Sequence, residues 1–300
     1  MTSPLLELAA GALHADIAPA LGGSVASFYS LDDAGERADW LRPASAQDLA
    51  SGDPRRLACF PMLPYANRLR DGCFEFQGRR IELAAGPHPH ALHGQAWLSA
   101  WEVESQSPDQ ITLGWHEEGR SWPFPYRARQ TFELTPQALT ITLEVHNTGT
   151  TAMPLGLGLH PYFPRPEGTR WHAELGTCWA VDDQGLPTGE CQQPDWTQQR
   201  EFGFEPGHPT IDHCFSPWWH EARIAWPDGR GLLMRADAPL DLLHVYAPSG
   251  ERCFCLEPVS NAPDWLNLLR RSPCDDCGGI VLGPGARLQT RCCFQPLPQP

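Results

Sequence analysis

Residues Tyr126–Leu134 read YRARQTFEL, Thr135-Pro136-Gln137 interrupts, and residues 139–145 read LTITLEV. Apolar side chains recur at every second position in both runs, with Gln130 the one polar residue in the series. That is the period of a strand with one buried face, not of a helix. A short break with a proline between two such runs is the signature of a hairpin. Working outward, the same pattern recurs. Cys73–Phe76 (CFEF) and residues 79–83 (RRIEL) flank Gln77-Gly78, a two-residue turn. Residues 223–226 and 232–234 flank Asp228-Gly229, and residues 242–246 and 253–256 flank Pro248-Ser249-Gly250. Short strands separated by frequent turn signals predict an all-β sandwich or barrel. Residues 264–271 have the pattern of a short helical turn. Residues 185–209, polar and proline-rich, are expected to be a long surface loop.

Composition narrows the class. The chain has 300 residues, with 31 prolines and 27 glycines, and its longest proline-free run is residues 20–42. Proline costs about 3 kcal/mol in a helix interior, so bundles, coiled coils and helical solenoids are excluded. No linker or repeat divides the sequence, and a single domain over 1–300 is expected. All 22 cationic side chains are arginine, and the net charge is −14. Without lysine there is no Schiff-base chemistry and no Walker-type phosphate loop. The negative balance argues against nucleic acid and anionic membrane surfaces as partners. No apolar run is long enough to span a bilayer as a helix. The start, MTSPLLE, has no basic region and no long apolar run, so no signal peptide is read and a cytoplasmic location is expected. The 11 cysteines are then expected to be buried thiols. Cys274 and Cys277 have CxxC spacing, but Cys292-Cys293 is adjacent rather than spaced, so no four-sulfur zinc site is expected.

Four stretches place polar or ionisable groups where a β protein usually puts apolar core. They are PYANR at 64–68, HALHG at 90–94, HPYF at 160–163 and CFCLEP at 253–258. His160 ends an apolar, glycine-containing run, and Glu257 follows an alternating one. Read singly, Arg68 fits a surface arginine, the histidines fit structural roles, and Glu257 fits either solvent or a pocket.

Taken together and in this order, they resemble the aldose 1-epimerase (galactose mutarotase-like) family. The matching pieces are PYANRLRDG at 64–72, HALHG at 90–94, GLGLHPYF at 156–163, LEPVSNAPD at 256–264 and GGIVLGPGARLQ at 278–289. The resemblance implies a β-supersandwich of two large antiparallel sheets with a sugar cleft. It implies a general acid at His160, a general base at Glu257, and substrate-binding positions at Arg68, His93, Asp212 and the neighbouring Asn67. Trp122, in a proline-framed loop, is expected either to wall the cleft or to plug a hairpin. The implied activity is an isomerase reaction, interconversion of α and β anomers of a hexose, with the acid and base on opposite sides of the sugar. It needs no cofactor and no metal, and the partner is a small sugar; a monomer or a homodimer would serve. The segments after His93-Gly94 and around 120–126 differ from the best-known galactose mutarotases. An epimerase of a 6-phosphorylated or sulfonated hexose is therefore the alternative, with Arg55, Arg56, Arg70, Arg120 and Arg165 as candidate anion ligands. A non-catalytic sugar-binding β-sandwich is a further one. With ordinary pKa values, an ionised Glu257 and a protonated His160 give a bell-shaped rate profile whose upper limb belongs to His160.

Overall fold

In a computed structural model of the chain, which describes residues 4–84, 88–194, 202–203, 210–269 and 277–298, the alternating runs are strands. Tyr126–Leu134 pairs antiparallel with Leu139–Asn147, with Leu134 opposite Leu139 across the predicted turn. Their apolar positions are the buried ones. The other expected hairpins also form: Cys73–Phe76 with Arg79–Glu82, Ile211–Ala225 with Gly231–Ala236, and Leu242–Ala247 with Cys253–Val259.

Among the described residues, eighteen strands are hydrogen-bonded into one continuous antiparallel network that folds into two layers. One layer runs from Leu6–Ala10 through Leu13–Ala18, Ser24–Leu31, Cys59–Met62, Gly158–Pro164, Cys253–Val259 and Leu242–Ala247. The other runs from Glu102–Gln106 through Gln110–Glu117, Tyr126–Leu134, Leu139–Asn147 and Arg287–Leu297 to Gly231–Ala236. The long strand Ile211–Ala225 belongs to both. Its first half pairs with Leu242–Ala247 and its second half with Gly231–Ala236. Between the layers Phe163 packs on Phe254 and Phe294, all three fully buried. Each such ring removed from water contributes about 2–3 kcal/mol.

One expectation needs adjusting. The segment 185–209 is not loop throughout: Pro187–Gln192 pairs with the strand Arg170–Val181, and Phe202–Gly203 pairs with its start. Pro187–Gln192 is mostly exposed, so its sequence carries no apolar alternation to read. The helical turn expected at 264–271 is present as Trp265–Leu268. Cys274 of the CxxC pair lies outside the described residues. No helix among the described residues is long and apolar enough to cross a membrane.

Candidate active site

His160 lies on Gly158–Pro164, and Glu257 on the neighbouring Cys253–Val259. The register sets Gly158 opposite Val259 and Tyr162 opposite Cys255, which leaves His160 beside Glu257. His160 Nε2 is 3.2 Å from Glu257 Oε1. Gly158 permits this close pairing, because a Cβ there would lie 2.7 Å from a Val259 methyl group. The His160 ring is held between Phe60, at 4.5 Å between centroids, and Tyr162, stacked at 4.7 Å. Both His160 and Glu257 are buried at the floor of a cleft of about 450 Å³.

Burial controls their ionisation. It pushes the Glu257 carboxyl up to about 8, against the lowering effect of the His244 charge. Burial, with the charges of His93, His244 and Arg42, holds His160 well below the usual imidazole value. At neutral pH the pair therefore carries one proton in total, as a carboxylic acid beside a neutral imidazole. This corrects the sequence expectation of an ionised Glu257 beside a protonated His160. Attraction between the two charges would favour the ionised pair, but desolvation outweighs it. The pair is also side by side, not on opposite sides of a sugar.

The positions expected to bind sugar, Asn67, Arg68, His93 and Asp212, line the same cleft. His93, buried and at φ 57°, accepts the Asn67 backbone N–H at Nδ1, 3.0 Å away. Burial, with the His244 and Arg68 charges, lowers it to about 3. It is thus a neutral imidazole whose proton sits on Nε2, a fixed donor. Asn67 Oδ1 accepts from the Arg68 backbone N–H and Nη1. Arg68 Nη1 lies 3.7 Å from Asp212 Oδ2. Burial opposes ionisation of Asp212, yet the His244 hydrogen bond and the charges of His244 and Arg68 hold its carboxyl below the usual range.

Trp122 is the exception. It is 1% exposed, packed on Tyr65, Phe74 and Phe124, and does not line the cleft. Its loop plugs the hairpin Cys73–Phe76/Arg79–Glu82 and supports Tyr65 from behind. Of the arginines considered as anion ligands, Arg55 alone lines the cleft. It is forked onto Asp53 at 2.9–3.2 Å. Arg56 pairs with Asp48, Arg70 with Asp182 and Asp264, and Arg120 with Glu118; Arg165 donates to the Pro248 and Glu251 carbonyls.

Sequence reasoning missed three residues. His244 lines the cleft and donates its Nε2–H to Asp212 Oδ1, 2.7 Å away. It sat unnoticed in an apolar run, although the expected hairpin around Pro248-Ser249-Gly250 already sets it opposite Glu257. Tyr162, in the quoted HPYF, also lines the cleft. Fully buried Asn261 clamps the Asn67 loop, accepting from the Ala66 N–H at 3.0 Å and donating to the Ala66 carbonyl at 3.1 Å. His160, Cys255 and Glu257 bring one donor atom each within 4.8 Å of one another, but burial keeps the Cys255 thiol and the Glu257 carboxyl protonated, which does not suit a metal-ligand set.

The two antiparallel layers thus carry an imidazole–carboxyl pair at the floor of a cleft. The family profile described as aldose 1-epimerase matches residues 4–295, and the chain belongs to that family. It is 34% identical over 272 residues to the uncharacterized protein YphB of Escherichia coli K12, covering 87% of this chain and 89% of that protein. A crystal structure from Escherichia coli K12 superposes with a TM-score of 0.84 at 30% identity, covering 98% of this chain and 99% of that one. A galactose mutarotase-like protein from Clostridium acetobutylicum shares the fold, with a TM-score of 0.85 at 20% identity over 98% and 95% of the two chains.

Proposed function

We propose that the protein is an aldose 1-epimerase acting on a neutral hexose. The observation that carries this reading is the His160–Glu257 pair, 3.2 Å apart at the floor of the cleft. Ring opening takes a proton from the C1 hydroxyl, gives one to the ring oxygen and breaks the bond between C1 and that oxygen. The C1 hydroxyl and the ring oxygen are bonded to the same carbon, so two adjacent groups can serve both. One member of the pair accepts the hydroxyl proton while the other, holding the pair's proton, delivers to the ring oxygen. The open-chain aldehyde turns about its C1–C2 bond. Ring closure on the other face of C1 reverses both transfers, and the pair returns to its one-proton state. The His93 Nε2–H, Arg68, Asn67 and Asp212 offer donors and acceptors for the remaining hydroxyls.

The charge balance supports a neutral substrate over a phosphorylated or sulfonated one. The two arginines that line the cleft, Arg55 and Arg68, face Asp53 and Asp212. A sugar anion would have to compete with those carboxylates.

Anomer exchange measured by NMR over a panel of neutral, phosphorylated and sulfonated hexoses tests this. At least one neutral hexose should exchange well above the buffer rate, and no anionic one faster. Faster exchange of an anionic hexose would overturn the neutral assignment. Binding of sugars without any acceleration would identify a non-catalytic sugar-binding protein instead.

A further inference from the structure

His244 is a buried imidazole that the proton transfers above do not use. It is 4% exposed, and it lines the same cleft as His160 and Glu257. Its Cα partner across the Leu242–Ala247/Cys253–Val259 ladder is Glu257. Partners in such a ladder have Cα atoms about 4.5–5.5 Å apart and side chains on one face. On its other side, Nε2 is 2.7 Å from Asp212 Oδ1, and Asp212 is in turn 3.7 Å from Arg68. The Asn67 side-chain amide lies 3.4 and 3.5 Å from the two ring nitrogens. The imidazole is thus fixed between two carboxyl groups, one of which it grips directly.

We propose that His244, held on Asp212 and facing Glu257 across the strand pair, is the counter-charge of the site: its imidazolium favours the carboxylate form of Glu257, so that the proton held there is readily given up to the sugar. His244 acts through Glu257 and is a positioning residue. This rests on the reading of Glu257 as a member of the proton-transfer pair.

The charged groups around it fit this role. Burial works against a charge on His244, but Glu257 and the Asp212 hydrogen bond and charge raise it above its ordinary value. His93 and His160 are held neutral by burial, which leaves His244 as the cationic imidazole among the three. Arg68 adds a positive charge, which Asp212 offsets. The thiols of Cys214, opposite His244, and Cys255, two residues before Glu257, are kept protonated by burial, as are the Tyr162 and Tyr246 hydroxyls. With His244 removed, Glu257 loses its largest attractive partner, and of the charges that remain the raising effect of Asp212 exceeds the lowering effect of Arg68.

His244→Gln tests the idea, because the amide can still bond Asp212 but carries no charge. Carbon-13 labelling of the glutamate carboxyls follows Glu257 directly and needs no substrate. The Glu257 titration should move to higher pH by about one unit or more, the usual effect of a neighbouring opposite charge. The alkaline limb of the catalysed rate should follow it. A fall in rate by one factor at every pH, with the Glu257 titration unmoved, would make His244 a packing residue and overturn the proposal. Nitrogen-15 spectra of the native protein give a second readout that does not depend on folding of the variant. His244 should be mostly imidazolium at pH 6.5; a neutral ring there would overturn the proposal too. If no sugar exchanges but the Glu257 titration still shifts, the proposed reaction fails while the electrostatic role stands.

Discussion

At the scale of single residues, the site is a balance between desolvation and charge. Glu257 is 1% exposed, and burial is the largest influence on its proton. Its ordinary value of 4.5 is raised to about 8. Between those values the folded protein holds a proton that the unfolded chain has released, so stability falls as pH rises through that window. The loss is on the order of a few kcal/mol at pH 8. Glu257→Gln has the same shape but cannot ionise. It should raise the melting temperature by several degrees at pH 8 and leave it unchanged near pH 4.5, while lowering the exchange rate by roughly 10²–10⁴. A variant that melts lower at pH 8 would contradict the burial argument. The identities of His160, Glu257, Arg68, His93 and Asp212 were legible in the sequence because they sit in short motifs in family order. Their protonation was not. It depends on how many apolar atoms enclose Glu257, and these come from strands far apart in the chain.

At the scale of elements, the strands that carry His160 and Glu257 were readable and the clamps between them were not. Alternation located the strands, but alternation carries no signal for a polar residue that serves another segment. Asn261 is such a residue. It satisfies both backbone groups of Ala66, one residue before Asn67 and two before Arg68. Gly156 makes room for it: a Cβ there would sit 1.9 Å from Asn261 Oδ1. Asn261→Ala leaves a buried N–H and C=O without partners, a loss of about 1–3 kcal/mol for each group. The expected outcome is a fold destabilised by about 2–4 kcal/mol in chemical denaturation, with KM raised more than kcat falls, since the binding loop loosens while the His160–Glu257 pair stays. An unchanged KM would show that the loop is held by other contacts. Trp122 makes the opposite point. An aromatic in a polar-looking loop suggested a cleft wall, but Tyr65 and Phe74 pack against it and bury it, contacts the local sequence cannot reveal.

At the scale of the whole molecule, the two layers share one long strand, Ile211–Ala225, and Asp212 lies near its start. The strand Arg287–Leu297 joins Leu139–Asn147 to Gly231–Ala236 and carries Phe294 into the interlayer contact with Phe163. Phe294→Ala should destabilise the protein by about 3–5 kcal/mol, with KM for the sugar unchanged because the ring lies away from the cleft; a loss below 1 kcal/mol would mean that the layers do not depend on this contact. The sandwich class was legible from hairpin spacing. The sharing of one strand between layers was not, because it is a property of pairing at long range. What this architecture delivers is an imidazole and a carboxyl that share one proton. The most direct test is the anomer exchange rate of the native enzyme as a function of pH, at substrate below saturation, beside Glu257→Gln. The account predicts a plateau through neutral pH, an alkaline fall near pH 8 that reports the pair as a unit, and loss of that fall from the residual rate of the variant. A native profile that is flat well past pH 8, or a Glu257→Gln enzyme with near-native exchange, would contradict it.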